Sequence, residues 1–190
     1  IGWHSFQYNG LPFVLLIAFP FLEVGLLDLL HMLFFLGMPE WMVFGLTRKE
    51  SYYWQWARLI ESLSFVVALL WPRQRIRQQR FKIALFFVCI LSLIVIFGID
   101  LLGDIFFPQL YDGLNIYQLE LRIGVILLHL VAMGILLLKP NLPEMLRSQH
   151  VFMFLIISIM AEFCYVSSGT PADYLYFLGH VYKVVAYGCL

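Results

Sequence analysis

Residues 81–107 read FKIALFFVCILSLIVIFGIDLLGDIFF, and this stretch decides the fold. Across it only Lys82, Asp100 and Asp104 carry a charge, and Pro108 closes it. An α-helix rises about 1.5 Å per residue, so about 20 apolar residues cross the roughly 30 Å of bilayer hydrocarbon. A run of this length and apolarity has no place in the core of a soluble domain, where one helical face must meet water.

Working outward, five more apolar stretches flank it, near 11–36, 53–71, 117–138, 151–166 and 174–190. Gly37-Met38-Pro39, Trp71-Pro72, Lys139-Pro140 and Gly169-Thr170-Pro171 punctuate them. Composition agrees: 62% of residues are hydrophobic and 13% charged, and the mean hydropathy is +0.87. A soluble domain stands near half apolar and a quarter charged. The expected fold is therefore all-α, a polytopic transmembrane helix bundle forming one integral-membrane domain over residues 1–190. Ile1 does not read as a natural start, and Leu190 falls inside an apolar run, so both ends are expected to continue in a longer protein.

Charge and cysteine usage exclude other classes. The formal net charge is zero, which removes a basic nucleic-acid footprint. Cys89, Cys164 and Cys189 lie apart and form neither a disulfide framework nor a zinc knuckle. No glycine-rich phosphate loop, GxSxG or HExxH is present, so the chain is not expected to be an enzyme.

Basic residues orient the bundle. Arg73, Arg75, Arg77, Arg80 and Lys82 follow the second stretch with no acid among them. Such a loop faces the cytoplasm. Lys139 and Arg147 mark a second cytoplasmic loop, whereas Asp112 and Asp173 lie in loops without bases and face outside. Arg48 and Lys49 fall in an outside loop, a mild conflict partly balanced by Glu40 and Glu50. The expected location is the cytoplasmic (inner) membrane, multi-pass, with the C-terminal end on the cytoplasmic side.

A charge in hydrocarbon costs at least about 2.5–3.5 kcal/mol on insertion scales, so each one needs a reason. Counting from the outer helix ends at about 1.5 Å per residue collects most of them in one outer-half layer. The layer holds Asp28 and His31, Arg58 and Glu61, Asp100 and Asp104, Glu120 and Arg122, Glu162, and His180 and Lys183. Asp28 with His31, Arg58 with Glu61, and His180 with Lys183 are three apart, so each pair shares a helix face. Opposite signs on one face suit a compensated polar cavity; a packing network without a ligand is the plainer alternative. His31 and His180 lie at matching depth and are the candidate ligands for a metal ion or haem iron. His129, deeper on the fourth stretch, suits a helix–helix hydrogen bond better than a ligand role.

Three segments in this order resemble a known family. Gly25-Leu26-Leu27-Asp28-Leu29-Leu30-His31-Met32-Leu33 with Gly37-Met38-Pro39 is similar to the first signature of the membrane-associated sensor domains of MASE type three. Trp56-Ala57-Arg58-Leu59-Ile60-Glu61-Ser62-Leu63-Ser64 resembles the second, and Gly179-His180-Val181-Tyr182-Lys183-Val184-Val185-Ala186-Tyr187 resembles the closing GHxxK segment. Met32 stands where many members have Thr. The resemblance implies a prokaryotic signalling input domain, with a further apolar segment before the first, so that the six helices visible here are one short. It also implies functional positions at Asp28, His31, Arg58, Glu61, His180 and Lys183.

The expectation that follows is a sensor. A small ligand, or a redox or metal cofactor such as haem b, occupies a cavity lined by Asp28, His31, Arg58, Glu61, Asp100, Glu120, Arg122, Glu162, His180 and Lys183. The last helix then passes the signal to a cytoplasmic effector in the same polypeptide, a diguanylate cyclase or a histidine kinase. Expected partners are the bilayer and a second copy of the chain, with no nucleic acid. The rivals are a b-type haem electron-transfer protein, built on His31 and His180, and a small transporter. A transporter calls for polar residues through the inner half and internal repeats, neither of which the sequence shows.

The topology is checked by single-cysteine labelling in intact cells. Gln79→Cys is expected to be inaccessible from outside and Gly113→Cys accessible; the reverse pattern contradicts the orientation.

Overall fold

The computed structural model describes residues 12–33, 49–71, 78–106, 118–139, 149–168 and 173–190. They form six helices: α1 (Pro12–Leu33), α2 (Lys49–Leu70), α3 (Gln78–Phe106), α4 (Gln118–Leu138), α5 (Gln149–Ser167) and α6 (Tyr174–Gly188). The described residues contain no strand, and the fold is the all-α bundle expected. Arg73, Arg75, Arg77, Asp112 and Arg147, on which the topology rests, lie outside the described residues.

The apolar stretches and the helices differ at their starts. Helix α2 begins at Lys49, four residues before the apolar stretch, because Lys49, Glu50 and Ser51 prolong the helix without prolonging its hydropathy. The extension moves Arg58 and Glu61 from opening turns to the middle of α2, about 14 and 18 Å from its start at about 1.5 Å per residue. Helix α3 likewise begins at Gln78.

Four helices, α1, α3, α4 and α5, are long and apolar enough to cross a membrane. Helix α2 has the length, but Gln55, Arg58 and Glu61 lower its hydropathy; α6 has 15 residues. The two charged groups in the middle of α2 point inward: Arg58 is 1% exposed and Glu61 fully buried.

Helix α1 packs on α2, α2 on α4, α4 on α5 and α5 on α6, while α3 packs mainly on α1. The main core joins Phe13, Leu15 and Leu16 of α1 to Phe65 of α2, Ala132 of α4, Phe154 of α5 and Ala186 of α6. Phe65 and Phe154 stack with ring centroids 4.8 Å apart. A second cluster sets Val24 and Leu27 against Tyr52, Tyr53, Ala57 and Ile96.

Helix α3 presents Phe86, Phe87, Leu91 and Ile94 outward. Lipid is as apolar as these side chains, so burial alone does little to hold such a helix. Its polar contacts pin it instead. Tyr53 donates to Asp100 at 2.7 Å, Tyr52 donates to the Ile96 carbonyl at 3.0 Å, and Ser92 donates to Glu23 of α1 at 2.5 Å.

The α5–α6 seam is tight at one point. A Cβ on Gly179 would lie 2.7 Å from the Tyr165 ring. That ring is held by Trp54, Tyr176 and His180 at centroid distances of 4.8, 5.5 and 5.2 Å, so it has little room to yield. Gly179→Ala is expected to cost about 1–3 kcal/mol by overpacking. Gly124→Ala, whose Cβ would meet nothing within 4 Å, is expected to be neutral or slightly stabilising. Thermal unfolding in detergent checks both, and equal midpoints contradict the packing.

Candidate functional site

A buried ion cluster joins three helices. Arg58 of α2 is its centre. Its Nη2 donates to both Asp28 oxygens of α1 at 2.5 Å. Its Nη1 donates to Glu61 Oε2, three residues on, at 2.6 Å, and to the Tyr187 hydroxyl of α6 at 2.6 Å. Lys183 of α6 donates to the other Glu61 oxygen at 2.5 Å. The Tyr187 hydroxyl donates to Glu61 Oε2 at 2.9 Å and has Asp28 Oδ2 at 3.2 Å as a second acceptor. Spacing explains the α6 contribution, since Lys183 and Tyr187 are four apart and meet the cluster with one face.

Two cations face two carboxylates, and every carboxylate oxygen has a donor. Breaking one partner from such a set strands a charge, whereas the intact set is compensated. In the same region His129 of α4 brings Nε2 to 3.7 Å from Glu61 Oε1, while its Nδ1 lies 2.9 Å from the Val125 carbonyl. The carbonyl only accepts, so Nδ1 carries the hydrogen. His129, expected from the sequence to make a helix–helix hydrogen bond, instead bonds the Val125 carbonyl of its own helix and stands at the cluster's border.

Glu162 of α5 is fully buried and neither oxygen has a hydrogen-bond partner. Its electrostatic neighbours are Arg58, His129, Glu61 and Arg122. Arg122 of α4 donates to the Tyr165 carbonyl at 2.5 Å and lies over the Trp54 ring at 5.2 Å.

The structure thus brings Asp28, Arg58, Glu61 and Lys183 into direct contact. His31 and His180 face each other nearby, with centroids 6.1 Å apart and planes 18° from parallel. Tyr176 and Tyr165 pack edge-on to His180 at 4.8 and 5.2 Å. His31, Tyr165 and Tyr176 thus all lie against His180. Among the described residues no group of three or more His, Cys, Asp or Glu side chains is placed to hold a metal ion. The histidine pair therefore has no third His, Cys, Asp or Glu beside it among the described residues with which to hold a metal ion.

Two residues depart from the expected cavity. Asp100 is buried elsewhere, at the α2–α3 contact with Tyr53. Glu120 is exposed on the first turn of α4. Two others escaped the sequence reading. Tyr187 stands in the cluster; it closes the GHxxK-like segment and lies four residues after Lys183, but was not singled out as a site residue. Glu23, 4% exposed at the centre of α1, was legible as a lone carboxylate in an apolar run.

The model of the membrane-associated sensor domain family MASE3 matches residues 1–190. No curated protein and no solved structure matches the chain.

Arg58→Ala is expected to destabilise by about 3–5 kcal/mol, because Asp28 and Glu61 lose a buried partner. Arg80→Ala, at an exposed position, is expected to cost about 0–1 kcal/mol. Folded yield and denaturant midpoint in detergent check the pair, and equal behaviour contradicts a structural role for the cluster.

Proposed function

This chain belongs to the membrane-associated sensor domain family, and from that premise we propose that its last helix reports the state of the buried ion cluster to an effector on the cytoplasmic side. The family supports a non-catalytic input module in a multi-pass membrane protein. The observation that carries the reading is the seating of Lys183 and Tyr187 of α6 on Glu61, Arg58 and Asp28.

The physical logic is a restriction on how α6 moves. A displaced Lys183 leaves Glu61 short of a donor and carries its own ammonium into apolar surroundings. Only positions that re-pair both are tolerated, so α6 has discrete seats rather than a continuum. A stimulus acts by binding one seat better than another; a tenfold difference in affinity supplies about 1.4 kcal/mol of bias. The stimulus in this reading is a small polar ligand at the cluster's border, where Glu162 and His129 leave polar atoms unpaired. The effector, a diguanylate cyclase or histidine kinase, follows α6 in the same polypeptide, with output from a homodimer in the inner membrane.

The test is output in cells carrying the native effector. Lys183→Met is expected to insert normally and to reduce the stimulus-dependent change in output at least about tenfold, the equivalent of about 1.4 kcal/mol of coupling. Arg80→Ala is expected to respond as wild type. A Lys183→Met protein that still responds fully contradicts the reading.

A further inference from the structure

The ion cluster satisfies its own acceptors, but the compartment beside it does not. Glu162 is fully buried and both its oxygens lack a donor. Ser158 precedes it by four residues and Tyr165 follows it by three, so both share its face of α5. Their hydroxyls are buried and unpartnered too. Across the seam, His129 carries its hydrogen on Nδ1, toward the Val125 carbonyl. The neutral ring then offers only a lone pair at Nε2, which has no hydrogen bond and looks toward Glu61 Oε1 at 3.7 Å. Acceptor faces acceptor.

The cations nearby are committed elsewhere. On α2, Arg58 holds Asp28, Glu61 and Tyr187 with its two terminal nitrogens. On α6, Lys183 holds Glu61, and His180 packs on Tyr165. On α4, Arg122 donates to the Tyr165 carbonyl. Asp28 and Glu61 thus have a cation bonded to them, whereas neither oxygen of Glu162 has a hydrogen-bond partner. The Nε nitrogens of Arg58 and Arg122 are likewise buried without a partner.

We propose that Glu162 and His129 form a proton-binding site, and that a proton taken up between α4 and α5 is a ligand of this domain. The proposal deepens the sensor reading and rests on it for its meaning. One proton from water binds and no electron moves. It converts Glu162 from carboxylate to neutral acid, with His129 as an electrostatic neighbour. The consequence reaches α6 because Tyr165, one turn from Glu162, is the ring against which Gly179 and His180 pack.

Infrared difference spectroscopy on the protein in lipid nanodiscs tests this, with buffer taken from about pH 8 to about pH 4, across the ordinary His range and into that of carboxylates. Wild type is expected to gain a protonated-carboxyl stretch at a frequency distinct from water-exposed carboxyls. Glu162→Gln is expected to lose that band, and His129→Gln to shift its midpoint by about one pH unit or more, since His129 is an electrostatic neighbour of Glu162. A band that survives unchanged in Glu162→Gln, or one that never appears in wild type, overturns the proposal. Should Glu162→Gln fail to insert, Glu162→Asp must move the band's frequency and midpoint, and an unmoved band overturns it equally. The readout needs no effector, so a missing proton site and a failed signalling role give different results.

Discussion

A charge surrounded by apolar side chains has to find its compensation inside the protein. That constraint organises this bundle. Arg58 is 1% exposed, Glu61 fully buried and Lys183 6% exposed, so none of them can turn to water without moving a helix. Their mutual bonds, with Asp28 and Tyr187, fix α1, α2 and α6 in one register. Apolar contacts such as Phe65 on Phe154 fill the space around them but slide at little cost when lipid is the alternative. The polar bonds supply the direction that dispersion lacks. The same holds at the edge of the bundle, where Tyr53–Asp100 and Ser92–Glu23 pin α3.

The cost of this design is that the cluster cannot be changed by parts. Removing one partner exposes the others, so the set behaves as a unit, and a helix holding two of its members has few positions to choose from. That is what a signal-relaying helix requires. A smooth apolar seam would let α6 drift, whereas a seam of paired charges gives it seats. Glu162 then acquires its interest from contrast, since it lies beside a satisfied cluster without being satisfied itself.

The helices were legible because hydropathy and length determine a membrane fold almost by themselves. Starts were less legible: Lys49–Ser51 of α2 extend the helix with polar residues that no apolar window includes. The i, i+3 pairing of Arg58 and Glu61 was legible, as was the pooling of Asp28, Arg58, Glu61 and Lys183, since a bundle brings like depths together. Depth does not give azimuth, which is why Asp100 and Glu120 were grouped with residues they do not meet. Azimuth also hid Tyr187, an aromatic residue among many. The His31–His180 encounter was legible from matching depth, but the edge-on packing of Tyr165 and Tyr176 against His180 was not, because ring packing depends on neighbours such as Tyr165 of α5.

The central claim is that Glu61 and Lys183 are energetically coupled across α2 and α6. A double-mutant cycle on unfolding in bicelles, using Glu61→Gln, Lys183→Met and the pair, measures that coupling directly. The account predicts that the double variant loses less than the two singles together, by at least about 1.5 kcal/mol, the range of directly contacting buried partners. Additive losses within about 0.5 kcal/mol, as for distant independent sites, would contradict it.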